Sequence, residues 1–134
     1  MPQSPYPPVA HVLVADDEPA VRRFASRVLR AEGFEVHEAE DGLEALALIC
    51  DGRVPIDILV TDVVMPGLNG VDLMQRLETT HPDLPVLLMS AYTPEDLRQR
   101  GINAPCGMLA KPFPASQLMN MLRHCLGLSF RRGA

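Results

Sequence analysis

The sequence predicts an α/β domain: a doubly wound, five-stranded parallel sheet with five helices. Five short apolar runs alternate with five stretches of helical periodicity along the whole chain. The inner runs, IDILVT (56–61) and PVLLMS (85–90), are continuously apolar, as strands are when helices cover both sheet faces. No internal repeat or long linker divides the 134 residues, a length that suits one domain.

The first strand is VAHVLVAD (9–16). Pro19 then stands where a first helical position tolerates proline. Val21, Phe24, Ala25, Val28 and Leu29 stripe one face of a helix that stops at Gly33. Phe34, Val36 and Glu38 suggest a short second strand. Asp41 and Glu44 form an N-cap pair ahead of Leu43, Leu46, Ala47 and Cys50 in the second helix. After the third strand, Asn69 caps a helix carrying Val71, Met74 and Leu77. Thr93, Pro94 and Asp96 supply the cap, first turn and capping-box acid of a short fourth helix with few apolar positions. GMLA (107–110) is the fifth strand, and Leu118, Leu122, Cys125 and Leu126 stripe a last helix ended by Gly127. Residues 1–8 and 128–134 are expected to be tails, the first proline-rich, leaving 9–127 as the domain.

Composition narrows the function. A net charge of −5 argues against nucleic acid as a direct partner. No apolar run approaches the ~20 residues of a membrane span, and no signal-peptide pattern is present, so a cytoplasmic location is expected. Cys50, Cys106 and Cys125 are odd in number and irregularly spaced, which predicts small, reduced core residues. The four histidines show no metal-ligand spacing.

Right-handed crossovers leave few ways to wind such a sheet, and function collects outside the carboxyl ends of its strands. Asp16 and Asp17 end the first strand, Asp62 the third, Ser90 the fourth, and Lys111 follows the fifth. Alone, each has an ordinary explanation: a helix cap, a turn, a solvated charge. Together they do not, because two like charges ~4 Å apart repel by ~4 kcal/mol at an effective dielectric of about 20. One lysine offsets part of this. A divalent cation with oxygen ligands offsets the rest, and Mg²⁺ (or Mn²⁺) suits a few carboxylates, waters and a phosphate. In that setting Asp62 is a workable nucleophile toward phosphorus, with Lys111 and the Ser90 hydroxyl placed to stabilise phosphoryl oxygens.

The motifs VLVADDE, VTDVVMPGLNG, LLMSAY and LAKPF, in this order, make the chain resemble a response-regulator receiver domain of two-component signalling over roughly residues 9–127. The resemblance implies the flavodoxin-like, CheY-like strand order 2-1-3-4-5. It implies Asp62 as phosphoacceptor, with Asp17, Asp62 and the backbone carbonyl of Val64 as direct metal ligands and Asp16 acting mostly through water. It further implies Ser90 as the hydroxyl that moves toward the phosphoryl group, Lys111 as its ion-pair partner, and a cis Lys111–Pro112 bond. The implied partners are a sensor histidine kinase or phosphotransfer protein and a downstream protein target, met on the α4-β5-α5 surface, with a phosphorylation-linked dimer among the assemblies. Such a domain is no enzyme beyond its own phosphorylation and slow autodephosphorylation.

Two features depart from the family or qualify it. Met108 stands where receivers commonly carry a switching Tyr or Phe, three residues before the lysine. Val64 and Tyr92, two residues beyond Asp62 and Ser90, are unsuited to orienting hydrolytic water, which predicts a long-lived phosphorylated form. The phrasing of the motifs is similar to receivers of hybrid kinases, and both a stand-alone receiver and part of a larger regulator fit. Two alternatives use the same fold. A pseudo-receiver interaction module would fail to label with acetyl phosphate, and a metal-dependent phosphohydrolase with an aspartyl-phosphate step would turn over phosphate esters. A Rossmann-type nucleotide binder lacks its G-x-G-x-x-G here.

Overall fold

The protein is described from a computed structural model covering residues 9–132, with side chains through Gly127. Five strands and five helices alternate. They are β1 (His11–Ala15), α1 (Pro19–Ala31), β2 (Glu35–Ala39), α2 (Gly42–Asp51), β3 (Ile58–Asp62), α3 (Gly70–Thr80), β4 (Val86–Ser90), α4 (Pro94–Gln99), β5 (Gly107–Ala110) and α5 (Ala115–Arg132). The strands form one sheet in the order β2-β1-β3-β4-β5, every pair parallel.

Strand side chains point alternately to the two faces, and two cores result. Val12, Val14, Ile58, Val60, Leu87, Met89 and Leu109 pack with Ala25 and Leu29 of α1 and Leu118, Leu122 and Cys125 of α5. Leu13, Leu59, Val86 and Leu88 pack with Ala45 and Ile49 of α2, Leu73 and Leu77 of α3 and Leu97 of α4. Both faces are covered, which explains why β3 and β4 are buried at every position.

Capping follows the sequence. Asp41 accepts the Glu44 N–H at 2.8 Å, Asn69 that of Asp72 at 2.9 Å and Thr93 that of Asp96 at 3.1 Å. Helix α1 begins at Glu18 without a side-chain cap and uses Pro19 in its first turn. The Lys111–Pro112 peptide is cis, as the family resemblance implied.

Four expectations are corrected. Helix α2 buries Gly42, Ala45 and Ile49, whereas Leu43 is 56% exposed and Cys50 is exposed. Gly42 lies so close to the Leu68 backbone that a Cβ there would collide with it. That contact fixes the rotation of the helix and turns position 43 outward. In α1, Phe24 is 39% exposed and tilts against Phe113, while Ser26 is buried. Helix α5 does not end at Gly127 but runs to Arg132, since glycine within a helix costs only ~1 kcal/mol relative to alanine. Residues 128–132 are therefore helix rather than tail, and the expected tail at 1–8 lies outside the described residues.

The fourth correction concerns the thiols. Cys106 and Cys125 are joined as a disulfide, with Cα atoms 5.3 Å apart. Their separation of 19 residues holds no hint of this; the packing of α5 on β5 brings them together. Among the described residues no helix is long and apolar enough to cross a membrane.

Gly70 opens α3 against the carbonyl of Asp62, and a Cβ there would meet that backbone oxygen. Gly127 faces open space. Urea denaturation is expected to show Gly70→Ala destabilised by about 1–3 kcal/mol, since backbone atoms must move. Gly127→Ala is expected to gain up to about 1 kcal/mol.

Candidate functional site

Parallel register carries the predicted residues to one edge. Ala15 lies opposite Thr61, Asp62 opposite Met89, and Ser90 opposite Ala110. The residues that follow β1 and β5, Asp16 and Lys111, therefore emerge on either side of Asp62 and Ser90. Lys111 Nζ stands 2.8 Å from Asp16 Oδ2 and 3.0 Å from Asp62 Oδ2. Carboxylate oxygens of Asp16, Asp17 and Asp62 all lie within 4.8 Å of one another.

Their surroundings differ. Asp16 is wholly buried and Asp62 nearly so, whereas Asp17 is exposed. Asp16 Oδ1 accepts the Glu18 N–H at 2.9 Å, and Asp62 Oδ1 takes a long bond of 3.4 Å from the Val64 N–H. Asp16 Oδ2 faces the Lys111 ammonium at 2.8 Å. Ser90 Oγ accepts the Tyr92 N–H at 3.0 Å, which leaves its own proton free to be donated. The Lys111 N–H donates to the Ser90 carbonyl at 2.7 Å, tying the lysine loop to the end of β4. Val64 is 63% exposed.

Burial pushes the Asp62 carboxyl above its ordinary pKa; the Lys111 hydrogen bond pulls the other way, and the Asp16 charge adds to the rise. For Lys111, burial alone would lower the pKa. The hydrogen bonds and charges of Asp16 and Asp62 outweigh it, so the ammonium is held above its usual range.

A divalent cation fits this donor set. Three carboxylates converge, two of them removed from water, and the one ammonium among them cannot balance all three. The structure thus brings together Asp16, Asp17, Asp62 and Lys111, with Ser90 at the same edge.

Two further residues belong to this edge and were not predicted. Glu18 places Oε1 3.4 Å from Lys111 Nζ, a third carboxylate on one ammonium. Arg22, with only 12% of its side chain exposed, donates from Nη1 to the Asp16 carbonyl at 2.7 Å and pairs through Nε with Glu38 at 3.3 Å. It clamps the turn that presents both aspartates. The signal was in the sequence: an arginine beside the apolar stripe of α1, one turn after the acids.

Comparison with known proteins agrees with this geometry. The profile of the family described as "Response regulator receiver domain" matches residues 12–123. The chain is 40% identical over 119 residues to the sensor kinase CckA of Brucella abortus, covering 87% of this chain and 12% of the kinase. It is 39% identical over 116 residues to the response regulator MprA of Mycobacterium sp. (strain KMS), covering 86% of this chain and 50% of the regulator. The chain thus spans half or less of these relatives' length. The response regulator TrrA of Thermotoga maritima, solved in complex with Mg(2+)-BeF, superposes with a TM-score of 0.73 at 28% identity, covering 86% of this chain and 97% of that one.

The raised Asp62 pKa has a consequence for stability without metal. The folded protein binds this proton more tightly than the unfolded chain, so the ionised form is the destabilising one. That penalty is fully present above the folded pKa and is relieved as pH falls toward the ordinary value of 3.8. In chelator at neutral pH, Asp62→Asn is expected to raise Tm by a few degrees, for a gain on the order of 1 kcal/mol. The gap from the parent should close on acidification; a lowered Tm would contradict the account.

Proposed function

The chain belongs to the response regulator receiver domain family, and from that premise we propose that Asp62 accepts a phosphoryl group in a Mg²⁺-dependent (or Mn²⁺-dependent) reaction. The donor is a partner histidine kinase, a phosphotransfer protein or a small phosphodonor. The observation that carries this is the meeting of Asp16, Asp17 and Asp62 within 4.8 Å beside the Lys111 ammonium. Asp17, Asp62 and the Val64 carbonyl would hold the cation, with Asp16 acting mostly through water. Bound there, it would neutralise the carboxylates and the oxygens of the incoming phosphoryl group.

The chain's own residues do the rest. An Asp62 carboxylate oxygen forms the new bond to phosphorus as the bond to the donor's leaving group breaks, giving an aspartyl phosphate. Lys111, already 3.0 Å from Asp62, pairs with a phosphoryl oxygen and loosens its hold on Asp16. Ser90 exchanges its contact with the Tyr92 N–H for donation to another phosphoryl oxygen. These shifts pass to α4, β5 and α5 as a change in population between two packings. Helix α4 has six residues and buries Leu97 alone, which makes it the most mobile element of that face. Met108 sits partly buried against the α4-side core. The inward swing of an aromatic ring, usual in the family, therefore has no counterpart at this position.

The relatives support kinase partnership: one is a sensor kinase and another a response regulator. We place the protein in the cytoplasm, with a downstream protein target on the α4-β5-α5 face and a phosphorylation-linked dimer among its assemblies. We take residues 9–127, extended by the remainder of α5, as the receiver unit.

Incubation with acetyl phosphate and Mg²⁺, followed by intact-mass measurement, tests the assignment. The parent is expected to gain one phosphoryl group and Asp62→Asn none; equal labelling of both overturns it. Val64 and Tyr92, 63% and 41% exposed, flank the approach of water and cannot orient it. After removal of the donor, the label is expected to outlast seconds. Val64→Gln, which adds a water-orienting amide, should shorten its life on the order of tenfold.

A further inference from the structure

The disulfide lies on the face through which, on the reading above, the phosphoryl signal leaves. We propose that Cys106 and Cys125 form a reversible dithiol–disulfide site that limits how far β5 and α5 respond to phosphorylation. The inference rests on that reading for its coupling but not for its chemistry.

Cys106 immediately precedes β5, and Cys125 lies on α5, with Cα atoms 5.3 Å apart, a separation ordinary for a disulfide. The neighbouring residue gives an independent sign of close approach. Gly107, with φ +150°, abuts the Met121 side chain one helical turn before Cys125. One face of α5, carrying Met121 and Cys125, therefore rests directly on the entrance to β5. Lys111 stands just beyond the other end of this four-residue strand. A pull on Lys111 from a phosphoryl group is thus felt by a strand whose far end is either clamped to α5 or free of it.

Cys106 is partly buried and Cys125 is fully buried, so exchange enters at Cys106. With oxidised glutathione, the Cys106 thiolate attacks one glutathione sulfur. A mixed disulfide forms and one glutathione thiolate leaves. The Cys125 thiolate then attacks the Cys106 sulfur, the protein disulfide closes and the second glutathione leaves. Two electrons pass from protein to glutathione, and the two cysteine protons end on the released thiols; reduced glutathione reverses the sequence. The reduced form also has a place for the buried thiol, since Cys125 Sγ lies 3.4 Å from the Cys106 carbonyl oxygen. Cys50 is exposed on α2, on the opposite face of the sheet, and takes no part.

The test uses the full chain carrying Cys50→Ser, equilibrated in buffers of graded oxidised-to-reduced glutathione. Alkylation and intact mass are expected to show both remaining thiols lost together, with the protein lighter by two hydrogens. Cys50→Ser combined with Cys106→Ser should form no internal bond. Two free thiols in excess oxidised glutathione, or a glutathione adduct alone, would overturn the site. Oxidised and reduced samples are then treated with acetyl phosphate and Mg²⁺ and followed by hydrogen exchange. Both are expected to label, and the phosphorylation-induced change in exchange across β5 and α5 should be at least about threefold smaller in the oxidised form. Equal changes would overturn the coupling. Failure of both forms to label would overturn the Asp62 reading and the coupling with it, while the thiol count still decides whether the crosslink forms.

Discussion

One ammonium holds the site together: Lys111 Nζ bridges Asp16 and Asp62, 2.8 and 3.0 Å away, across the end of a parallel sheet. Like charges are forced close there because the neighbouring strands β1 and β3 end side by side at one edge. A single lysine cannot neutralise Asp16, Asp17, Asp62 and Glu18, so the edge carries a standing excess of negative charge. Much of the neighbouring structure keeps that excess in place. Arg22 clamps the Asp16 carbonyl, the Lys111 N–H is fixed to Ser90, and Gly70 lets α3 close against the Asp62 backbone. Removing the ammonium would leave Asp16 and Asp62 buried and uncompensated, at a cost of about 3–5 kcal/mol.

What could be read in the sequence was whatever depends on period and position along one strand. Continuously apolar β3 and β4 predicted a doubly covered sheet, and strand ends predicted which side chains would meet. Rotations of single helices were harder to see. Leu43 and Phe24 fit apolar stripes, yet the helices are turned by contacts distant in sequence: Gly42 against the Leu68 backbone, and Phe24 against Phe113 at the surface. Gly127 was misjudged because a glycine can end a helix or be carried through it, and only the residues beyond decide. The disulfide depends on a packing distance between β5 and α5 that no spacing rule encodes. Glu18 and Arg22 stand near the paired acids in the sequence, but only the fold sets them against Lys111 and the Asp16 carbonyl.

The same edge links charge to motion. Ser90 and Lys111 sit at the ends of β4 and β5, and each holds a contact that a phosphoryl group would compete for. Behind them α4 is short and held by one buried leucine, whereas α5 is long and joined to the entrance of β5 by Cys125. On the proposed reading, a phosphoryl group on Asp62 would thus meet one loose element and one anchored element. With Met108 in place of an aromatic ring, the proposed path to that face is left to Ser90 and the two strand ends.

The most direct measurement of the central claim is the thermal stability of the parent and of Asp17→Asn, each in millimolar Mg²⁺ and in chelator. Asp17 is exposed, so its replacement leaves the core intact. The parent should melt higher in Mg²⁺, by the equivalent of about 1.4 kcal/mol at ten times the dissociation constant, because only the folded chain assembles the acids. Asp17→Asn should lose most of that gain. No gain in the parent, or an equal gain in both proteins, would show that these acids do not meet around a cation.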